Sequence, residues 1–153
     1  MAQFNLIEVQ DPPALESVFM IRRRVFVDEQ GVGEELEIDA HEAEARHLLA
    51  LCDGEPVGTL RLRLVGDQRT AKIERVAVLA EARGAGVGEA LMRRALDVAE
   101  TAGARSAVLH AQVQAQNFYN RFGFEPEGAP FIEDGLPHVV MARPLAGAAA
   151  PTR

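Results

Sequence analysis

The segment that decides the fold of this chain lies between residues 73 and 88 and reads Ile73-Glu74-Arg75-Val76-Ala77-Val78-Leu79-Ala80-Glu81-Ala82-Arg83-Gly84-Ala85-Gly86-Val87-Gly88. Its apolar first part predicts a β-strand, and the apolar residues after the glycines recur at helical spacing to about Ala102. Backbone N–H groups at the start of such a helix form a concave site for anions. Gly86 and Gly88 have no side chain that would keep a pyrophosphate away. The segment therefore predicts a binding site for a phosphorylated cofactor.

The glycine loop lacks the features of two common nucleotide-binding motifs. A P-loop needs a lysine directly after its last glycine, but Lys72 is the only lysine of the chain. A dinucleotide fingerprint needs a third glycine at the position where this chain has Glu89. The pattern that remains is R-x-x-G-x-G after a strand.

This pattern resembles the GCN5-related N-acetyltransferase (GNAT) family, whose acetyl-CoA pyrophosphate loop has the same R-x-x-G-x-G sequence. After a second strand expected at Ala107 to His110, Phe118-Tyr119 and Gly123-Phe124 match the short helix and the exit found in that family. Four further segments are similar to the ElaA-type branch of the family: Arg24 to Gln30, Arg46-His47, Glu133 to His138 and Met141 to Arg143. The resemblance extends from Ile21 to Pro144.

The resemblance implies an α/β (α+β) fold with a mixed, mostly antiparallel sheet of about six or seven strands, a splayed parallel pair and about four helices. It implies acetyl-CoA as the acetyl donor, no metal ion, and a small-molecule or peptide amine as the acceptor. In this family the amine attacks the thioester directly, while the pantetheine arm pairs with free backbone groups between the splayed strands. The expected activity is therefore acetyl-CoA-dependent N-acetyl transfer.

The residues expected to bind acetyl-CoA form three groups. The backbone N–H groups of Val76, Ala77 and Val78 are expected to polarise the thioester carbonyl and to hold the oxyanion of the tetrahedral intermediate. The loop and the start of the helix are expected to hold the pyrophosphate: Arg83, Gly84, Ala85, Gly86, Val87, Gly88 and Glu89. The third group is Gln112, which stands where many members of the family carry Asn, with Phe118 and Tyr119.

Two proton transfers need catalytic groups. A lysine-like amine has an ordinary pKa of ~10.4, so that only about one molecule in 2,500 is neutral at pH 7. Glu74 is the candidate base, because strand alternation places it on the same face as Val76 and Val78. The alternative for Glu74 is a carboxylate paired with an arginine. Tyr119 matches the family's usual general acid for the leaving thiolate, and its alternative is a packed ring whose hydroxyl is bonded elsewhere.

Four residues are expected to contact the acceptor: Phe26, Glu29, Gln30 and His138. The first three belong to the ElaA-like segment at the start of an acidic stretch, Asp28 to Ala45, and His138 lies in a hairpin that borders the acceptor pocket in this family. His47 and His110 are interpreted as hydrogen-bonded histidines of the core or sheet. The four histidines and the one cysteine show no spacing typical of a metal site.

The composition fits one globular domain. A chain of 153 residues that is 48% hydrophobic predicts a single domain over residues 1–145, followed by a flexible Ala/Gly/Pro-rich tail over residues 146–153. The net charge of -7 argues against nucleic-acid binding and favours a cationic acceptor. No leader-like segment and no apolar stretch of about 20 residues occurs, so we expect a cytoplasmic protein without membrane contact. A homodimer is compatible with this architecture.

Periodicity predicts the remaining elements. A strand from Phe4 to Val9 precedes a helix that is capped by Asp11 and extends to about Val27. The other predicted strands are Leu48 to Cys52, Val57 to Val65, Thr70 to Leu79, Pro126 to Phe131 and Leu136 to Arg143. The buried stripe of the long helix is predicted to consist of Val87, Leu91, Ala95, Val98 and Ala102.

Two other functions remain open. A non-catalytic CoA-binding or sensing module would share the fold, although Tyr119 and Glu74 favour an enzyme. An autoinducer-synthase-like acyltransferase is suggested by Arg24-Val25-Phe26 and the acidic loop that follows. That family usually has a tryptophan in this region and lacks the glycine loop, whereas this chain contains no Trp.

Overall fold

The computed structural model describes residues 4–146, and for Glu35 and Leu36 it describes only the backbone. Its strands are β1 Phe4–Glu8, β2 Arg46–Cys52, β3 Glu55–Val65, β4 Thr70–Val78, β5 Ser106–Gln112, β6 Glu125–Glu133 and β7 Leu136–Pro144. They form one seven-stranded sheet in the order β1-β2-β3-β4-β5-β7-β6. β4 and β5 pair in parallel, whereas β5 with β7 and β6 with β7 are antiparallel. The expected mixed sheet with a parallel pair is confirmed.

The helices are α1 Pro12–Arg22, α2 Glu34–Glu37, α3 Val87–Thr101 and α4 Gln116–Asn120. Asp11 caps α1 as predicted, because its carboxylate accepts the N–H of Ala14 at 2.9 Å. The predicted continuation to about Val27 is π-helical rather than α-helical, over Arg23–Glu29. The N–H of Gln30 bonds to the carbonyl of Val25 at 3.1 Å, five residues back, which ends this segment.

Several predicted strand ends and two predicted core positions differ from the structure. β2 begins two residues before Leu48, and β5 extends beyond His110 to Gln112, because β5 pairs along its whole length with β7. Within α3, Val87, Leu91 and Ala95 are buried as predicted, together with Met92 and Ala99. Val98, also predicted to be buried, is only partly buried. Ala102 is exposed, because α3 ends at Thr101 and Gly103 then turns the chain with a φ of +90°.

The chain divides into two compact units. The first unit consists of Met1–Leu62 and Arg75–Ala95, and the second of Arg63–Glu74 and Leu96–Arg153. The first unit contains an apolar core cluster: Val18, Ile21, Val25, Leu49, Ala77 and Leu79. In the second unit β5 has one buried face, formed by Ala107, Leu109 and Ala111, and one face that is only partly buried. The single domain over residues 1–145 stays a prediction.

Of the tail predicted at residues 146–153, only Ala146 lies within the described residues. In residues 4–146, no helix has both the length and the apolar character that are needed to cross a membrane.

Candidate functional site

The glycine loop of the first unit connects β4 to α3. Gly84 and Gly86 have φ angles of +84° and +89°, a conformation that favours glycine. A Cβ atom at either position would meet no protein atom within 4 Å. The carbonyl of Gly86 accepts the N–H of Ala90 at 3.0 Å, so that α3 begins directly after the loop. An open loop before the N-terminus of a 15-residue helix fits an anion such as a pyrophosphate.

The start of α3 is fixed by close packing. Val87 is 3% exposed, and a Cβ atom at Gly58 of β3 would lie 2.8 Å from its Cγ1 atom. Because Gly58 has no side chain, the helix can approach the strand closely. In the sequence this residue is recognisable only as a single glycine inside a predicted strand. Gly88 follows Val87 in the helix, and Ala85 is exposed. Glu89 pairs with Arg93 at 3.0 Å, which partly offsets its negative charge near the loop.

Arg83 connects two of the predicted binding segments within the first unit. Its guanidinium donates to both carboxylate oxygens of Glu29, at 2.6 and 2.7 Å, and its Nε donates to the carbonyl of Val78 at 2.9 Å. The structure thus joins a residue expected to bind the cofactor to one expected to bind the acceptor. Both side chains are 43% exposed, and exposed ion pairs of this kind are weak enough to open for a charged ligand.

The strand that leads into the loop contains a strained residue. Arg75 has a φ of +56°, which is uncommon for a residue with a side chain and unusual inside a strand. It directly precedes Val76, the first of the three residues whose N–H groups are the expected oxyanion donors. The Arg75 side chain lies 3.3 Å from the carbonyl of Glu37 and 3.4 Å from a carboxylate oxygen of Asp39. No sequence pattern predicts this backbone turn, because arginine has no preference for positive φ.

A buried ion-pair network holds the acidic stretch of the first unit. Arg22 is fully buried and binds Glu37 and Glu42, each at 2.7 Å, while Arg61 binds Asp39 at 2.8 Å. Burial raises the pKa of Glu37 more than its arginine partners lower it. Burial is the largest influence on Glu42 and by itself would raise its pKa, but the hydrogen bonds and charge of Arg22, the N–H of Asp39 and the charge of Arg61 together lower it. The hydrogen bonds of Arg61 hold the pKa of Asp39 well below its ordinary value. The stretch that reads as an acidic loop is therefore anchored.

A groove of about 290 Å³ lies in the first unit between α1 and α2. It is lined by Glu16, Phe19, Met20, Arg23, Val27, Glu34, Glu37 and Ile38. Its size is near the lower limit for small-molecule pockets. None of the residues predicted to contact the acceptor lines it.

Glu74 lies in the second unit, just beyond the point where β4 and β5 stop pairing. The parallel register ends at Ile73 and Leu109, although both strands continue. Arg63 donates to both carboxylate oxygens of Glu74, at 2.8 and 3.2 Å, and Lys72 lies 3.4 Å away. The structure thus gives Glu74 the arginine partner that we named as its alternative. Its function as a base stays a prediction.

Tyr119 lies on α4, and its ring meets that of Phe118 edge to face at 5.0 Å. The ring is partly exposed, yet the hydroxyl is closely surrounded by protein atoms, and this burial raises the pKa of Tyr119 to about 12. Among residues 4–146 the hydroxyl has no hydrogen-bond partner. The phenol is therefore neutral at pH 7 and can donate its proton. Phe118 also contacts Phe122, which is 5% exposed and anchors the helix.

The other predicted site residues fall into the two units. Phe26 packs against the core cluster of the first unit, and Gln30 ends the π-helical segment. In the second unit Gln112 lies opposite His138 in the β5–β7 register. His138 is 8% exposed, and its Nδ1 lies 2.8 Å from the carbonyl of Leu136. In the described part of the chain, no three His, Cys, Asp or Glu side chains are grouped so that they could hold a metal ion.

Comparisons with known proteins agree on one family. A family model described as an acetyltransferase (GNAT) domain matches residues 10–145. The uncharacterized N-acetyltransferase YjcF of Bacillus subtilis is 37% identical over 130 residues, which cover 84% of this chain and 91% of that protein. Protein ElaA of Escherichia coli is 36% identical over 132 residues, which cover 84% of this chain and 86% of ElaA.

Two solved structures share the fold. The crystal structure of Escherichia coli ElaA matches with a TM-score of 0.80 and 31% identity, over 94% of this chain and 99% of that chain. The structure of an acyl-CoA N-acyltransferase from Pseudomonas aeruginosa matches with a TM-score of 0.79 and 31% identity, over the same shares of the two chains.

Proposed function

Because the chain belongs to the GNAT acetyltransferase family, we propose that it is an acetyl-CoA-dependent N-acetyltransferase that acts on a primary amine. The observation that carries the proposal is the open glycine loop before α3. Gly84 and Gly86 have positive φ angles, and the space that a side chain at either position would occupy is free of protein atoms. The N-terminus of α3 supplies N–H groups for phosphate oxygens. Acetyl-CoA supplies the acetyl group as an activated thioester.

The backbone of β4 would stabilise the charge that develops on the thioester oxygen. We assign this function to the N–H groups of Val76, Ala77 and Val78, and the loss of one such donor typically raises the barrier by about 3 kcal/mol. The turn at Arg75 supports the assignment, because a strained conformation next to expected donors is typical of catalytic backbone. No side-chain nucleophile is needed, because the amine attacks the carbonyl carbon itself.

Tyr119 would donate a proton to the leaving sulfur. A pKa of about 12 keeps the phenol protonated throughout the neutral pH range, so that its proton is available for transfer to the sulfur. The lack of a partner for the hydroxyl among the described residues supports this assignment over that of a structural tyrosine. The acceptor would be a small molecule or a peptide with a cationic amine, which the net charge of -7 attracts at long range.

Two matched glycine variants test the loop. Gly86→Ala and Gly103→Ala each place a methyl group at a φ near +90° in open space, so that both should lower the free energy of unfolding by about 1–2 kcal/mol. Only Gly86→Ala fills the space needed by the pyrophosphate. We expect acetyl-CoA to raise the melting temperature of the wild type and of Gly103→Ala, and to raise that of Gly86→Ala much less.

If acetyl-CoA raises the melting temperature of the two variants equally, the loop is not part of the cofactor site. The wild type is also assayed for CoA release with primary amines, polyamines, amino acids and peptide N-termini. If the protein binds acetyl-CoA but releases CoA with no amine of this panel, the result would contradict the proposed enzyme and favour a non-catalytic CoA-binding module.

A further inference from the structure

His110 of β5 has an environment that the sequence does not reveal. Its side chain is 29% exposed, and its Nδ1 lies 3.0 Å from Oε1 of Glu133 on β6. Its ring meets that of Phe131 edge to face at 5.2 Å, and Phe131 in turn stacks on His138 at 6.1 Å. All four residues belong to the second unit. They form a partly exposed cluster rather than part of the apolar core.

The strand register places this cluster at the point where the parallel strands stop pairing. Thr70 of β4 pairs with Ser106 of β5, and their hydroxyls lie 3.3 Å apart on one face. Side chains alternate along a strand, so that Glu74 and His110, four residues further along, lie on this same face. The register ends at Ile73 and Leu109, one residue before each of them. His110 therefore lies on the same face of the sheet as the predicted base Glu74, and each follows the last residue of its strand in the β4–β5 pairing.

The hydrogen bonds favour His110 over Glu74 as a proton acceptor. Both oxygens of Glu74 accept hydrogen bonds from Arg63, and Lys72 lies close to one of them. A carboxylate can only accept from His110, so that Nδ1 carries the hydrogen and Nε2 of the neutral ring has a free lone pair. The side chain of His110 makes no other hydrogen bond within the described residues. The hydrogen bond to Glu133 also fixes the orientation of the ring, with Nε2 on the side away from the carboxylate.

The other strand histidines lack this combination. His47 is 5% exposed and is held by the carbonyl of Glu42, 3.1 Å from its Nε2. His138 is 8% exposed and is held by a neutral carbonyl. The remaining histidine, His41, lies outside the strands; its side chain is 44% exposed and lies 3.4 Å from Glu44, but both residues belong to the acidic stretch of the first unit. His41 is therefore a suitable control.

We propose that His110, oriented by Glu133, is the general base that deprotonates the acceptor, and that the acceptor is a primary amine that is cationic at neutral pH. The inference rests on the proposed acetyl transfer. Nε2 takes one proton from the ammonium group and later passes it to solvent. The freed amine forms the C–N bond, and the C–S bond then breaks. The nitrogen loses its second proton to solvent, and sulfur gains one from Tyr119, which is reprotonated by solvent.

The first experiment compares two acceptors of similar size. One is a simple alkylamine, and the other is a fluorinated analogue whose amine is largely neutral at pH 7. His110→Asn keeps a donor for Glu133 but has no basic nitrogen. We expect it to lower kcat/KM for the alkylamine by ~10²-fold, and for the fluorinated amine by less than about 3-fold, because a neutral amine needs no base. His41→Asn should behave like the wild type with both amines.

The second experiment does not depend on turnover. Nitrogen-15 NMR of the ligand-free protein, recorded at a pH at which the imidazole is neutral and with the His110 signals assigned by their loss in His110→Asn, should show a hydrogen on Nδ1 and none on Nε2. Acetyl-CoA should raise the melting temperature of His110→Asn as much as that of the wild type.

Three results would overturn the assignment. They are full activity of His110→Asn with the alkylamine, an equal loss with both amines, which indicates a structural function, and a ring protonated at Nε2. Failure of the wild type to acetylate either amine, or any member of the wider panel, would instead overturn the proposed function and the base together.

Discussion

The chemistry of Tyr119 is set by its surroundings rather than by its residue type. If its hydroxyl protonates the leaving thiolate, Tyr119→Phe should lower kcat by ~10²-fold or more, because the proton donor is lost. The dissociation constant of acetyl-CoA should change little, because the ring still fills its place against Phe118. Steady-state kinetics and a binding titration measure the two effects separately.

The same residue offers a direct measurement of its pKa. Tyr119 is the only tyrosine and the chain has no tryptophan, so that phenolate absorbance reports this one group. The folded protein should titrate near a pKa of about 12, and the chain in denaturant near ~10. Normal turnover by Tyr119→Phe would contradict the assignment as an acid, and a loss confined to the melting temperature would mark the hydroxyl as structural.

Two adjacent arginines should differ strongly in their contribution to stability. Arg22 is fully buried with Glu37, whereas Arg23 and Glu34 are each more than half exposed. Arg22→Met leaves two acidic side chains without their main partner and should lower the free energy of unfolding by about 3–5 kcal/mol. Arg23→Met should change it by less than about 1 kcal/mol. Urea unfolding of both variants measures the difference, and similar values would show that the buried network is not required.

At the scale of elements, periodicity predicts most strands and both long helices, because burial of one face leaves a regular pattern in the sequence. It did not predict that the helix after Asp11 becomes π-helical at Arg23, since Val25 and Phe26 suit either helix. It also missed the full length of β5, whose last residues are held by β7. Pairing between distant segments decides such ends.

The candidate site likewise has parts that the sequence predicts and parts that it does not. The glycine loop and Tyr119 could be proposed from the sequence, because their local patterns are distinctive. The pairing of His110 with Glu133 depends on the register of three strands, β5, β7 and β6, which no local pattern fixes. The turn at Arg75 could not be predicted either, because arginine by itself does not favour a positive φ. In the structure this conformation is accompanied by contacts with Glu37 and Asp39, which are distant in the sequence.

At the scale of the whole molecule, His47 should make folding sensitive to mild acid. Burial lowers its pKa, and its Nδ1 has no hydrogen-bond partner. Below pH ~6.5 the unfolded chain therefore binds this proton more readily than the folded protein, so that the free energy of unfolding falls as the pH falls. Each unit by which the pKa is lowered contributes about 1.4 kcal/mol.

A comparison of variants isolates this contribution from those of the carboxylates. His47→Gln keeps a donor for the carbonyl of Glu42 but cannot be protonated. Its free energy of unfolding, measured in urea at pH 7 and pH 5, should decrease less than that of the wild type. The free energy of unfolding of His41→Gln should follow that of the wild type, because the His41 side chain is only partly buried. An equal decrease in all three proteins would show that His47 does not control the response to acid.

The edge strand β6 also affects whether protein molecules associate through their sheets at high concentration. It ends the sheet, and its register against β7 shifts between Glu127 and Phe131. Pro126 and Pro130 have no N–H to offer an incoming strand, and three glutamates add negative charge: Glu125, Glu127 and Glu133. An edge interrupted in this way is a poor template for strand addition. The side of the sheet that carries the His110 cluster is thereby protected against edge-to-edge aggregation.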